Sequence, residues 1–284
     1  MATYPTSEQL LVIVDPIARR TDGEAVRIAK DVLSAGAPTK LCLPEDPEEF
    51  TRVLARRGSR RPVVIGDDRA LVRAVSLLHR QRELAGSVLS VVPVGPAVSV
   101  ARALGVPTGT VAAARTVLDG AVRRLDVLVD DSDGVVLGTV GIPPVRERLP
   151  EAVPEPEGAR PWLRTCQTLV RTLVPLRPAR TLTASAPSRL RVEVDGETVV
   201  DLDRPVDAVS LTPGSSGTAL VEVRPASVGS DAAPVFREGR TVSVSGADFR
   251  YHADDRVSGP VRRRTWTVLE SAFGLTLPAA GQVY

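Results

Sequence analysis

Residues 10–19 read Leu-Leu-Val-Ile-Val-Asp-Pro-Ile-Ala-Arg, and this stretch decides the fold. Five apolar residues in a row, Leu10 to Val14, describe a strand buried on both faces, as in a parallel sheet covered by helices. The next segment supplies a cover. Between 24 and 35, Ala25, Ile28, Ala29, Val32 and Leu33 recur at i, i+3, i+4, i+7 and i+8, which is one face of a helix. Outward from there the alternation continues. Strands are predicted at 40–43, 62–65 and 88–92. Asp46 is placed to cap a helix with Pro47 at its first position, Glu49 as capping-box partner, and Phe50, Val53 and Leu54 facing inward. Further helices are predicted near 70–84 and 110–121. Strand and helix in turn give an open, doubly wound α/β sheet.

Past Leu125 the pattern changes. Residues 143–158 carry five prolines and read as an exposed connection. An amphipathic helix is predicted over 160–174, with Cys166 on its apolar side. Then come period-two runs. Leu190, Val192 and Val194 alternate, Asp195-Gly196 turns the chain, and 198–202 returns. Runs at 206–211, 219–223, 241–244 and 265–269 complete an antiparallel set, read as a β-sandwich. The expected division is an α/β domain at 1–126 and a β-sandwich domain at 127–284.

Composition removes several function classes. The chain has 284 residues with 36 Lys+Arg against 34 Asp+Glu, a formal charge of +2. That balance argues against a nucleic-acid binder, which would carry a basic excess. Two Cys and two His cannot assemble a zinc site of the usual spacing. Neither His79 nor His252 lies near a G-x-S-x-G turn, so a Ser-His-Asp triad has no support; both are read as structural, His252 in a turn. No apolar run approaches the ~20 residues of a membrane span, and the amino terminus lacks a signal-peptide pattern. A soluble cytoplasmic protein with no integral membrane association is the expectation.

Ligands of open α/β sheets bind at the carboxyl ends of the strands. The loops there are Asp15-Pro16-Ile17-Ala18-Arg19, Gly66-Asp67-Asp68-Arg69-Ala70 and Pro93-Val94-Gly95-Pro96-Ala97-Val98-Ser99, followed by Val100-Ala101-Arg102. Their order and spacing resemble the diacylglycerol kinase catalytic domain family, which includes bacterial lipid kinases and sphingosine kinases and is related to NAD kinases. That family has N-P-x-S-G after the first strand, G-G-D-G-T after the third, P-x-G-T-x-N-D-x-A-R after the fourth, and a D-G-E segment late in a β-sandwich. Pro16, Gly66, Asp68, Pro93, Gly95, Ala101 and Arg102 fall on matching positions, and Leu125-Asp126-Val127 resembles the step out of the first domain.

The resemblance implies an ATP- and Mg²⁺-dependent lipid kinase, with Asp15, Pro16, Arg19, Gly66, Asp67, Asp68, Arg69 and Gly95 at the nucleotide, Asp68 at the metal, and position 256 as the catalytic acid. The residues present speak against that activity. Asp15, Ala18 and Arg19 replace Asn, Ser and Gly. Asp67 and Arg69 replace two glycines that would turn backbone N–H groups toward phosphate, and Pro96 removes a donor. The D-G-E position holds Asp254-Asp255-Arg256, and guanidinium cannot act as a base. Three readings follow: a degenerate homologue that expects no ATP or Mg²⁺, a kinase whose Arg19 and Arg69 hold phosphate by side chain, and a module binding a lipid, nucleotide, other small molecule or protein between its domains without chemistry. In the first, Arg19, Arg69 and Arg256 are expected to pair with Asp15, Asp67, Asp68 and Asp254. Alternate positions of Arg262–Arg264 read as the exposed face of a strand, Trp266 reads as core, and a homodimer through sandwich edges is the partner the family implies.

Overall fold

The computed structural model describes residues 9–143, 187–226 and 233–279. Most of the proline-rich connection, the helix predicted over 160–174 and Cys166 lie outside them. The amino-terminal region alternates strand and helix: β1 (Leu10–Val14), α1 (Pro16–Thr21), α2 (Gly23–Gly36), β2 (Thr39–Cys42), α3 (Pro47–Ala55), β3 (Arg61–Gly66), α4 (Asp68–Arg80), β4 (Val88–Pro93), α5 (Ser99–Ala103) and α6 (Thr110–Asp119). Strands β2, β1, β3 and β4 lie side by side in that order, all parallel.

Alternation of side chains across the pleat builds two cores from the continuous apolar run. Leu10, Val12 and Val14 pack with Val26, Ala29 and Leu33 of α2 and Ala113, Ala114 and Val117 of α6. Leu11 and Ile13 pack on the other face with Phe50 and Leu54 of α3 and Ala70, Ala74 and Leu77 of α4. Asp46 caps α3, accepting from Glu49 N–H at 2.7 Å, while the Glu49 carboxylate reaches back to the Glu45 N–H at 2.7 Å. The reciprocal cap therefore forms one residue earlier than a regular capping box.

The remainder is strand-rich: β5 (Ala121–Asp130), β6 (Val135–Val136), β7 (Val140–Ile142), β8 (Leu190–Val194), β9 (Glu197–Val200), β10 (Val206–Pro213), β11 (Ala219–Pro225), β12 (Val235–Gly239), β13 (Thr241–Ala253) and β14 (Arg256–Leu277). The predicted Asp195-Gly196 turn joins β8 to β9, with both residues at positive φ. β13 changes partners along its length. Its first half pairs β8 and its last two residues, His252 and Ala253, pair β7, while along its other edge it pairs β14 with register shifts between Ser245 and Tyr251. Trp266, Tyr251, Leu128, Val192, Val209, Val221 and Val244 belong to the core enclosed by these strands. Trp266 is fully buried, as its position suggested, and meets the Tyr251 ring edge-on at 5.2 Å.

Two differences from the sequence reading have clear causes. β14 does not stop at Leu269. It bulges between Leu269 and Phe273 and continues to Leu277, pairing β5 on both sides of the bulge and β4 at Gly274 and Leu275. The polar residues Glu270 and Ser271, which broke the apolar pattern, occupy the bulge. His252 lies in β13, and the chain turns instead at Asp254-Asp255.

Candidate functional site

Strand order reverses between β1 and β3, and the loops that leave these strands meet there. Asp15 N–H donates to Ile65 O at 2.8 Å, Val94 N–H to Gly66 O at 3.0 Å, and Asp68 N–H to Ala97 O at 2.8 Å. The first loop is a helix rather than an open turn. Asp15 caps α1 through the Ile17 N–H at 2.8 Å, and Pro16 supplies the preset φ of the first helical position. Gly66 is glycine for space: a Cβ there would lie 2.7 Å from that of Ala70 and 3.0 Å from that of Asp15. Gly95 has φ +135° and lies against Asp67, 3.0 Å from where its own Cβ would be.

The acids at this junction are buried and structurally engaged. Asp15 is 1% exposed, and its second oxygen pairs with the Arg73 guanidinium at 2.8 Å. Asp67 caps α4 through Ala70 N–H at 3.2 Å, but its other oxygen is buried with no hydrogen-bond partner among the described residues. Burial pushes the Asp67 carboxyl above the usual carboxylate range, and the Asp15 charge adds to the rise; the Ala70 N–H and Arg69 oppose it. Asp68 spends both oxygens on the start of α5, accepting from Ala101 N–H at 2.9 Å on one, and from Val100 N–H at 2.8 Å and Ser99 Oγ at 3.2 Å on the other. Asp254 takes φ +50° at the β13–β14 turn and accepts from the N–H groups of Leu137, Gly138 and Thr139 at 2.9, 2.7 and 3.2 Å. Burial raises its carboxyl too, with Asp68 adding and the three N–H groups opposing.

The arginines are placed differently from the expected pairing. Arg19 donates to Pro44 O at 2.9 Å, and Arg69 contacts Asp255 rather than Asp67 or Asp68. Arg256 is exposed at the start of β14. The partner of Asp15 is Arg73, which sequence reading passed over. Its signal was present: Arg73 shares the 3.6-residue face of Ala70, Ala74 and Leu77, and an arginine on an apolar face needs a buried acid. Its guanidinium also lies over Phe50, 5.4 Å from the ring centre. The Arg262–Arg264 run divides. Arg262 pairs with Asp248 at 3.0 Å in the open, while Arg264 turns in toward Asp130, Asp131 and the Tyr251 ring. Asp126 was read only as a step between domains. It is buried and accepts from Gly217 N–H and Ser271 N–H, each at 2.7 Å.

No family model matches the chain, and no curated protein matches it by sequence. Solved structures do match in fold. A "putative diacylglycerol kinase" from Bacillus anthracis superposes with a TM-score of 0.70 at 15% identity, covering 98% of this chain and 99% of its own. A diacylglycerol kinase structure from the same organism gives 0.70 at 16% identity over the same shares. Over nearly its whole length, the chain therefore has the fold of these kinase structures, the family whose loop order its motifs resemble.

Proposed function

We propose that this chain is a diacylglycerol-kinase-like protein that has lost phosphate transfer and acts by binding, as a regulatory homologue of the lipid kinases. The observation that carries the reading is the Asp67 carboxylate, buried with one oxygen unpartnered where the resembled loop offers glycine N–H groups to a triphosphate. A nucleotide phosphate placed there would meet a like charge in a site poor in water, where repulsion is stronger than in solvent.

The residues present do not fit Mg²⁺ and ATP. Both oxygens of Asp68 are taken by α5, and Asp15 is taken by Arg73 and the α1 cap. The guanidiniums that could have held phosphate by side chain are engaged elsewhere, Arg19 on a carbonyl and Arg69 on Asp255. At the position of the family's acid stands an exposed arginine, which keeps its proton at any working pH. The strand-rich region is read as a β-sandwich closing over the core around Trp266, and its ligand as a lipid or other small molecule.

Thermal shift with ATP and Mg²⁺, run beside a radiolabelled transfer assay on diacylglycerol, tests this. The expected result is no shift and no transfer. Micromolar ATP binding with transfer abolished by Asp68→Ala would overturn it and establish an atypical kinase.

A further inference from the structure

At the far end of α4 from Asp68, about 20 Å along a helix of thirteen residues, lies a second feature that the loop cluster does not use. It is a cavity of about 750 Å³, within the ~300–1,000 Å³ of small-molecule sites. Leu84 and Ala85, just after α4, form one wall; Val268, Leu269 and Ala272 of β14 form another. Leu269 remains 37% exposed there, apolar surface that no described residue covers.

The polar groups at the rim are mainly cationic. Arg82 is exposed, and among the described residues its guanidinium has no hydrogen-bond or ion-pair partner. Arg240 meets Glu270 only at 3.7 Å, with both side chains more than half exposed. His79 also lines the rim, 3.8 Å from Asp133. Two arginines thus face one glutamate over an apolar floor.

The walls are preformed. Ser271 and Arg82 hold left-handed backbones, φ +49° and +58°, which non-glycine residues keep only where the surroundings impose them. Asp126 imposes the first by accepting from Ser271 N–H at 2.7 Å. Arg124 stitches the two walls together, donating to Ala85 O at 2.7 Å and Ser271 O at 2.6 Å. Bulges of this kind commonly re-aim a strand beside a site.

We propose that this cavity binds a small amphipathic anion, its carboxylate or phosphate-monoester head held by Arg82 and Arg240 and its apolar body lying on Leu84, Leu269 and Ala272. The site is independent of the kinase-like loops. The proposal can fail while the reading of those loops stands, and the reverse.

Isothermal titration below the micelle concentration tests it, with decanoate, decyl phosphate, decanol and butyrate as probes. One of the two C10 anions is expected to bind saturably at one per chain, and the tighter identifies the head group. Decanol and butyrate are expected to bind at least tenfold more weakly. Arg82→Gly, which suits the left-handed backbone and so leaves folding intact, is expected to weaken the anion at least tenfold. Ala85→Trp is expected to fill the cavity and abolish binding. No saturable binding of either anion, decanol binding as tightly as its acid, or affinity unchanged in Arg82→Gly would overturn the proposal.

Discussion

Replacing Asp67 by asparagine should make this protein more stable, and only at neutral pH. Asparagine matches aspartate in shape and serves equally as an N-cap, so the Ala70 N–H contact at 3.2 Å is kept. What changes is the oxygen buried without a partner beside Asp15. An unsatisfied buried polar group costs about 1–3 kcal/mol, and more when charged. An amide in the same place stays unsatisfied but loses the charge, so a gain of about 1–2 kcal/mol is expected. For a chain of this size that corresponds to roughly 2–3 °C in Tm. The sign of the pH dependence follows from the raised carboxyl. Below the unfolded value of 3.8 the group is protonated in both states and its contribution is complete. As pH rises through the higher folded value, that stability is lost, whereas asparagine does not titrate. Calorimetry of both proteins should therefore show a gap near pH 7 that closes by about pH 3.5. Asp254 shifts in the same direction in both and cancels in the difference. A destabilised variant at pH 7, or a gap independent of pH, would show that the buried Asp67 charge carries no such cost.

Arg73→Ala leaves Asp15 buried and uncompensated and removes the contact with Phe50, so urea unfolding should show a loss of about 3–5 kcal/mol. Pairing it with Asp15→Asn should recover part of that loss, because asparagine still caps α1. Asp126→Ala frees the buried Gly217 N–H and the part-buried Ser271 N–H, and a loss of about 1–3 kcal/mol is expected, with faster amide exchange at Ser271. Gly95→Ala must place a Cβ at φ +135° and 3.0 Å from Asp67, and should cost about 1–3 kcal/mol by denaturant melt. Ser271→Gly relieves a left-handed serine, worth about 1–2 kcal/mol, against about 0.4–1 kcal/mol of added unfolded-chain entropy, so a gain of up to about 1 kcal/mol is expected in the same melt.

The parallel sheet was legible because its evidence is local. Leu10–Val14 is apolar throughout, and the helices carry their own caps and faces, so Asp46, Phe50 and Leu54 behave as their spacing required. Helices α1 and α5 were read as loops, since six and five residues are too few to show a period. Their caps were partly hidden as well. The cap of α5 is Asp68, thirty-one residues before Ser99 in sequence. Among the site residues, the clustering of Asp15, Gly66, Asp67, Asp68 and Gly95 was legible from strand ends and motif order. The ion pairs were not, because charge type says nothing about which arginine the fold brings within reach.

The sequence alone determined the strand–helix alternation, the loops that would meet and the residue types in them, because these depend on period, capping and turn chemistry within a few residues. It also determined that the loops lack the glycines and the acid of the kinases they resemble. Only the tertiary structure decided what those residues do. It joined Asp15 to Arg73, left one oxygen of Asp67 buried and alone, spent Asp68 on α5, and carried β14 through a bulge into the parallel sheet. Each of these depends on contacts between residues far apart in sequence. Such contacts are set by which faces and strand ends the packed sheet brings together, a property no single segment carries.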